Sequence, residues 1–177
     1  MFSMIKSKRH FGYLLLLFML LPFAGCEPIT DDGSHVDPIT LYEKIGGSWK
    51  LTDIRQVDEI AKAAGISTNE LNLYAQFTFG TLSIDLKTEA NKPSSYQVTG
   101  SAPELFPNAG YWQLDTEFPF ADGTAPKILL YSDANRTVKT GELSVTSIPG
   151  AKTEMELKLT RTSQGVPFVS YIYSLRK

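Results

Sequence analysis

Along most of the chain, apolar and polar residues alternate with a period of two, and turn residues interrupt the alternation at short intervals. A period of two places apolar side chains on one face of a β-strand and polar side chains on the other. In the clearest case, Met155, Leu157 and Leu159 share one face, and the residues between them are charged. The pattern predicts an antiparallel, strand-rich domain. The later predicted strands cover residues 96–99, 111–116, 127–132, 138–148, 153–162 and 168–175.

The start of this domain combines two short helical segments with a first strand. Residues 39–45 predict a helical turn, and the strand that follows carries Gly47, Trp49 and Leu51. Residues 57–64 contain helix formers and end before a glycine, which predicts a short helical insertion after the first strand.

The parity of the apolar positions changes once, near Gly80. Before it, Phe77 and Phe79 share one parity, whereas Leu82 and Ile84 after it have the other. The change predicts a β-bulge or a tight turn at this glycine. A flat sheet of about eight strands would expose its edges, so the domain is expected to form a closed barrel or a two-sheet sandwich.

The N-terminal segment has the parts of a secretory signal. Residues 1–25 contain a positively charged start, an apolar run and two small residues at the end. The apolar run is shorter than the about 20 residues that a transmembrane helix needs, and Pro22 interrupts it. Cys26, the only cysteine in the chain, follows directly and resembles the lipobox of bacterial lipoproteins. The resemblance implies cleavage before Cys26 and attachment of acyl chains such as palmitate to it.

Residues 26–38 connect this cysteine to the domain. They are rich in Pro, Asp, Gly and Ser and predict a flexible, acidic tether, so the domain is expected to span residues 39–177. Three of the 17 basic residues and none of the 19 acidic residues lie in residues 1–25, so the mature chain would carry a net charge of about −5. This negative charge opposes adsorption of the protein to anionic lipid, so its attachment to the membrane would depend on the acyl chains.

The order of motifs along the chain points to a known family. Gly47-Ser-Trp49 opens the first strand, and a helical insertion and an up-and-down series of strands follow it. This order resembles the lipocalin pattern. With Cys26 and the segment Gly110-Tyr-Trp-Gln-Leu114, the chain is similar to lipocalin-like lipoproteins of Bacteroidetes without an assigned function. The resemblance implies an all-β fold with a short helical insertion, a lipocalin-like up-and-down antiparallel β-barrel of about eight strands. It also implies an outer-membrane lipoprotein, facing the periplasm or the surface.

The same resemblance implies a structural role for three residues. In lipocalins, the tryptophan of the Gly-x-Trp motif plugs the closed end of the barrel, and a basic residue of the last strand packs over its ring. Here Gly47 and Trp49 would form the plug and Arg176 would be the basic residue, with a cation–π contact of about 0.5–2 kcal/mol. The alternative for Arg176 is a solvated charge at the C-terminus.

The predicted domain lacks residues that several chemistries require. Both histidines and Cys26 precede it, so a serine or cysteine nucleophile would lack its usual base, and a His/Cys metal site would lack ligands. Calcium-loop and nucleotide-binding glycine motifs are absent from the sequence, and a net charge of −2 disfavours nucleic acid. Glu154 and Glu156 are explained by the polar face of a strand. We therefore predict no catalytic residue, no metal and no cofactor.

Aromatic residues are the remaining candidates for function, although most are expected in the core. Tyr111 and Trp112 face opposite sides of one strand, so one of them is expected to point out of the core. The candidate ligand or partner contacts are Phe77, Phe79, Tyr111, Trp112 and Tyr131.

Two non-enzymatic functions are consistent with these residues. In the first, the lipid-anchored barrel holds a small hydrophobic or amphipathic ligand in a cavity lined by aromatic residues. In the second, the barrel is filled, and the protein is an accessory subunit of an outer-membrane or surface nutrient-uptake assembly. Its partner would bind an exposed patch, for instance around Leu105-Phe106 or Phe118-Pro-Phe120.

Overall fold

The structure, a computed structural model, describes residues 38–77, 79–100, 106–151 and 153–177. The predicted signal peptide, Cys26 and all of the predicted tether except Pro38 lie outside these residues. The described residues form two short helices and nine strands. They are α1 (Leu41–Ile45), β1 (Gly47–Asp58), α2 (Glu59–Ala63), β2 (Glu70–Asn72), β3 (Ser83–Glu89), β4 (Lys92–Thr99), β5 (Ala109–Leu114), β6 (Lys127–Tyr131), β7 (Lys139–Ser147), β8 (Glu154–Ser163) and β9 (Val166–Arg176).

The strands form one antiparallel sheet that closes on itself. Its order is β1-β3-β4-β5-β6-β7-β8-β9, and β9 returns to pair with β1 from Lys50–Arg176 to Asp58–Val169. The short β2 pairs with the second half of β1. The fold is therefore an eight-stranded closed antiparallel barrel with short helices, as predicted, and the sandwich alternative is wrong.

β1 continues further than the sequence pattern indicates. A register shift between Leu51 and Asp53 places one extra residue in the strand, so that Leu51 and Ile54 are both buried. The strand then runs to Asp58, whose carboxylate accepts from the backbone N–H groups of Ile60 and Ala61 and caps α2. The predicted helix at 57–64 therefore starts later, at Glu59.

The segment between β2 and β3 is not the strand that its alternation indicates. Residues 74–76 form a turn, and the backbone N–H of Leu73 donates to the carbonyl of Ile54 at 2.9 Å. This bond keeps the segment against the edge of β1. The tight turn expected at Gly80 is confirmed, because residues 80 and 81 form a turn before β3.

Large apolar side chains from all eight barrel strands fill the interior. Trp49, Trp112 and Ile128 have no exposed surface. α1 covers one end of the barrel, where its Leu41 and Ile45 side chains are also fully buried in the same core. We call this the closed end. The loop end lies opposite and is formed by the connections β1–β3, β4–β5, β6–β7 and β8–β9.

Trp49 and the last residue of the chain hold the closed end together. The indole Nε1 of Trp49 donates to the carbonyl of Ile45, the last residue of α1, at 2.7 Å. The ammonium of Lys177 lies 4.6 Å from the centre of the indole and donates to the carbonyl of Gly46 at 2.6 Å. Gly47 has a φ of +118°, and a Cβ there would lie 3.1 Å from Cε of Lys177. A side chain at this position would therefore strain the backbone and crowd the lysine.

The basic residue over the indole is Lys177, so the prediction of Arg176 for that position is wrong. Arg176 pairs with Lys50, whose side chain faces out of the barrel. Its guanidinium lies on the outer face, 2.6 Å from a carboxylate oxygen of Glu154. The strand parity thus places Arg176 outside, and the next residue reaches the end of the barrel.

α2 packs against the outer face of the barrel through a partly buried ion pair. A carboxylate oxygen of Glu59 lies 2.7 Å from the ammonium of Lys158 on β8. Hydrogen bonds from Lys158 and Ser170 hold the pKa of Glu59 below its ordinary value, although partial burial opposes this. Ser170 has no exposed surface even though it lies on the outer side of β9.

We expect Glu59→Gln to lower the free energy of unfolding by about 1–2 kcal/mol near neutral pH, because a charged hydrogen bond is lost. A carboxylate with a depressed folded-state pKa stabilises the fold above its ordinary pKa, and this contribution disappears as the pH falls through the folded value. Urea unfolding should therefore show the difference from wild type shrinking below pH 4.5. Glu117→Gln is the exposed control. A difference that does not change with pH would contradict the prediction.

Candidate functional site

The loop end carries most of the exposed large apolar side chains of the described residues. Eight of the eleven such residues lie in the connections of the loop end or in the first residues of β9, whereas Ile39, Phe118 and Phe120 lie at the closed end. Single exposed apolar residues are ordinary, but a group at one end of a domain indicates an interaction surface. We call the eight residues the loop-end rim. They are Ile60, Ile66, Leu71, Tyr74, Phe77, Val138, Val166 and Phe168, and they are 39–61% exposed.

The β1–β3 connection gives the rim an ordered aromatic pair. The rings of Phe77 and Phe79 stack with their centres 5.1 Å apart. Phe79 packs against the core, whereas Phe77 is 53% exposed. The backbone N–H of Phe77 donates to the carbonyl of Leu73 at 3.0 Å, which fixes the connection locally. The pair therefore links the interior of the barrel with its exposed rim.

Below the rim, aromatic side chains enclose a buried phenol. Tyr173 on β9 is 1% exposed, and the ring of Phe106 meets its ring edge to face, with the centres 5.9 Å apart. The hydroxyl of Tyr173 has no hydrogen-bond partner within the described residues. Burial raises the pKa of Tyr173 far above its ordinary value, so the hydroxyl keeps its proton.

A second buried phenol lies on β4. Tyr96 is 2% exposed, and burial also raises its pKa. Its hydroxyl makes no hydrogen bond of good geometry among the described residues, although Thr140 lies near it. Most buried polar groups in proteins are hydrogen bonded, so the hydroxyl of Tyr173, which has no partner among the described residues, requires an explanation.

The two halves of the barrel interior differ in polarity. The closed half is lined by apolar residues around Trp49 and Trp112. At the loop end, the register of β1, β8 and β9 places Gln56, Tyr171 and Leu159 on the interior side, next to the layer of Tyr173. The interior therefore changes from apolar to partly polar toward the loop end.

The five candidate aromatic residues do not form one site. Phe77 and Phe79 lie at the loop end, whereas Trp112 is a core residue whose indole donates to the carbonyl of Lys87 at 2.8 Å. Tyr111 and Tyr131 lie opposite each other on the outer side of β5 and β6. Tyr111 and Trp112 thus face opposite sides of β5, as their alternation predicted.

The outer face near Tyr111 has a depression of its own. It has a volume of about 490 Å³, and Lys87, Gln97 and Ser132 are among the residues that line it. Tyr131 is 8% exposed beside it, and its hydroxyl accepts from the amide of Gln113 at 2.9 Å. Tyr96 also lines this depression, whereas Tyr173 does not.

Tyr173, the buried phenol below the rim, was not among the aromatic residues predicted from the sequence. Tyr171 and Tyr173 lie on opposite parity to Phe168, so residues 168–173 carry apolar side chains on both faces. Apolar residues on both faces are a usable signal. They are typical of a strand whose Tyr171 and Tyr173 side chains face the interior, while Phe168 near its start belongs to the rim. The contact between Phe106 and Tyr173 has no signal in the sequence, since it joins the β4–β5 connection to a strand that is distant along the chain.

The described residues offer little for metal chemistry or for a carboxylate pair. Among them, no group of three or more His, Cys, Asp or Glu residues could hold a metal ion. Glu154 pairs with Arg176 and Glu156 with Arg55 on the outer face, which fits the polar side of a strand. No helix in the described ranges is long and apolar enough to cross a membrane.

The fold and this site define a small closed β-barrel domain with an apolar rim at one end. The chain belongs to the family described as Domain of unknown function (DUF5004), which matches residues 25–176. No curated protein and no solved structure gives a significant match. The barrel that the lipocalin resemblance implied is confirmed, while membership of the lipocalins and an origin in Bacteroidetes stay predictions.

Proposed function

We propose that the protein is a non-catalytic, lipid-anchored binding protein of the bacterial envelope. It takes a small amphipathic molecule at the loop end of its barrel. The observation that carries this proposal is the buried hydroxyl of Tyr173, which has no hydrogen-bond partner among the described residues, below an apolar rim. Anchoring would come from acyl chains on Cys26.

The unpaired hydroxyl supports a ligand with a polar group. A buried hydroxyl without a partner costs about 1–3 kcal/mol, and a ligand that accepts its proton removes this cost. Tyr171 and Gln56, which pair on the interior side of β9 and β1, supply further polar groups in the next layer toward the loop end.

The rim supports an apolar part in the same ligand. Phe77 offers an exposed ring that is already stacked on Phe79, so little side-chain freedom is lost on contact. Eight strands leave room for side chains or for one small ligand. Because Trp49 and Trp112 fill the closed half, the ligand would occupy only the loop-end half of the interior.

The test compares Tyr173→Phe with wild type. Removal of an unpaired buried hydroxyl should leave the melting temperature unchanged or raise it, whereas affinity should fall about 10-fold, as expected for one lost hydrogen bond. Binding is measured by calorimetric titration with medium-chain fatty acids and alcohols. These probes share an apolar chain and differ in the polar group.

Two further variants locate the binding site. Phe77→Ala should weaken binding of the same probes without a large change in stability, because its ring is mostly exposed. Tyr111→Phe is the control on the outer face and should bind as wild type does. Wild-type affinity in both Tyr173→Phe and Phe77→Ala would exclude the loop end as the ligand site.

A second function is favoured by the depression beside Tyr111. In it, the protein is an accessory subunit of an outer-membrane or surface nutrient-uptake assembly and contacts its partner through the outer face. A photo-crosslinking amino acid at position 111 would then capture an envelope protein in cells, and one at position 77 would not. Capture at position 77 alone would favour the loop end.

A further inference from the structure

On the outer face of the barrel, polar side chains of neighbouring strands commonly pair with one another. The hydroxyl of Ser48 donates to a carboxylate oxygen of Asp85 at 3.0 Å. The ammonium groups of Lys127 and Lys139 both form ion pairs with the carboxylate of Glu142. Side chains that are paired in this way have fewer hydrogen-bonding groups to offer a ligand.

The depression beside Tyr111 differs from this pattern. Five polar side chains that are at least partly exposed line it, and none of them makes a side-chain hydrogen bond or an ion pair with the residues that the structure describes. These five residues are Lys87, Ser95, Gln97, Tyr111 and Ser132. The depression therefore collects donors and acceptors that are available to a ligand.

The pairing of β4 with β5 explains why a depression forms here. Ser95 lies directly opposite Tyr111, and Gln97 lies directly opposite Ala109. Residues in such pairs have Cβ atoms about 4.5–5.5 Å apart. Ala109 and the adjacent Gly110 have the two smallest side chains, so β5 leaves space between the polar residues of β4 and the ring of Tyr111.

The strand on the other side gives Tyr111 a fixed neighbour. Tyr111 lies opposite Tyr131 on β6, and Tyr131 is 8% exposed. The amide of Gln113 donates to the hydroxyl of Tyr131 at 2.9 Å, which orients that side chain. Tyr111 itself is partly exposed. Its ring therefore has an accessible part at the edge of the depression, beside a side chain that is already held in place.

These residue types match the chemistry of a sugar ring. The hydroxyl groups of a pyranose both donate and accept hydrogen bonds, as do the amide of Gln97 and the hydroxyl groups of Ser95 and Ser132. The C–H groups on one face of a pyranose carry a partial positive charge, and the face of an aromatic ring is negative. The volume of about 490 Å³ lies in the range of small-molecule sites, about 300–1,000 Å³.

Other classes of ligand match the depression less well. None of the large apolar side chains that are exposed among the described residues lines it, whereas the centre of a protein–protein interface is more apolar than the rest of the surface. Neither aspartate nor glutamate is among its lining residues, so a hard cation would lack its preferred ligands.

We propose that the depression beside Tyr111 is a saccharide-binding site. The ring of Tyr111 stacks on a pyranose, and Ser95 and Gln97 exchange hydrogen bonds with its hydroxyl groups. Lys87 donates to a hydroxyl of a neutral sugar or to the carboxylate of an acidic one. This site does not depend on Tyr173 or on the amphipathic ligand of the loop end.

The test is affinity electrophoresis of the full-length chain, solubilised in detergent, in native gels. Each gel contains one polysaccharide: amylopectin or galactomannan, which are neutral, or polygalacturonate or alginate, which are acidic. At least one of the four should slow the wild-type chain. Tyr111→Leu keeps an apolar side chain but removes the aromatic face, and it should weaken the affinity about 10-fold or more. The matched control is Tyr74→Leu, which changes a tyrosine of the loop-end rim and should migrate as wild type does.

A second variant tests the hydrogen bonds and does not depend on how well Tyr111→Leu folds. Gln97→Ala shortens an exposed side chain and should weaken the affinity about 3–10-fold, as expected for the loss of one hydrogen bond. No retardation by any of the four polysaccharides would overturn the proposal. Retardation that neither Tyr111→Leu nor Gln97→Ala reduces would also overturn it, because the sugar would then bind elsewhere.

Lys87→Gln separates the two kinds of sugar. If the site binds a carboxylate, this variant should lose retardation by the acidic polysaccharides. If it binds ring hydroxyls alone, retardation by the neutral polysaccharides should persist. Capture of an envelope protein through position 111, with no retardation by any polysaccharide, would identify the depression as a protein contact and overturn the proposal.

The saccharide site and the loop-end site can fail independently. Tyr173→Phe should leave retardation by polysaccharides unchanged, and Tyr111→Leu should leave the affinity for medium-chain fatty acids unchanged. A loss of both kinds of binding in either variant would show that the depression and the loop end are not separate sites, which contradicts the proposal.

Discussion

Replacement of Trp49 with alanine is expected to lower the free energy of unfolding by about 3–5 kcal/mol, the usual cost of truncating a buried aromatic residue. Trp49 has no exposed surface, and it supplies the hydrogen bond to the carbonyl of Ile45 at the end of α1. The variant loses the packing of the indole, this hydrogen bond and the surface under the ammonium of Lys177. Thermal and urea unfolding measure the loss.

Two milder variants separate these contributions. Trp49→Phe keeps most of the apolar volume but removes the indole donor, so about 1–2 kcal/mol should be lost for the unsatisfied carbonyl. Lys177→Met keeps the aliphatic stem and removes the cation, with an expected loss of about 1 kcal/mol. If Trp49→Ala melted at the wild-type temperature, Trp49 would not be the plug of the closed end.

The barrel was predictable because burial follows the alternation in its strands. Met155, Leu157 and Leu159 alternate with charged residues, and in the structure they are 2%, 0% and 5% exposed. In a strand with one face in the core and the other in water, apolar and polar residues have to alternate. The alternation between Phe77 and Phe79 failed as a strand signal, because one ring packs on the core while the other forms part of the rim.

The exchange between Arg176 and Lys177 separates what the sequence could provide from what it could not. Tyr173 and Leu175 are buried, so the alternation of β9 alone places Arg176 outside the barrel. That Lys177 reaches the indole of Trp49 depends on the pairing of Arg176 with Lys50. Long-range pairing of this kind leaves no periodic signal in either strand.

The candidate site was only partly predictable for a similar reason. The exposed ring of Phe77 belonged to the set of candidate aromatics, but Tyr111 and Tyr131 lie on the outer face and Trp112 lies in the core. Alternation along a strand shows that neighbouring residues lie on opposite sides of the sheet. Which of the two sides faces the interior is decided by the closure of the barrel. The hydroxyl of Tyr173 has no hydrogen-bond partner among the described residues. This is a tertiary property, because it depends on which side chains the surrounding strands bring near the hydroxyl.

Cys26→Ser is expected to move the protein from the membrane fraction to the soluble fraction. Two or three acyl chains anchor a protein stably, whereas a single chain binds reversibly. A serine cannot form the thioether that carries the diacylglycerol, so all acyl chains are lost together. The net negative charge of residues 26–177 gives no electrostatic attachment to replace them. Fractionation of cells that express each chain, with incorporation of a labelled fatty acid, measures the change.

Cys26→Ser also separates membrane anchoring from binding of the amphipathic ligand. The barrel is not altered, so its melting temperature and its affinity for amphipathic probes should equal those of wild type. If Cys26→Ser stayed in the membrane fraction and carried labelled fatty acid, the acyl chains would sit elsewhere and the lipobox interpretation would be wrong. If it stayed in that fraction without label, a protein partner would hold it, which favours the accessory-subunit function over the ligand-binding one.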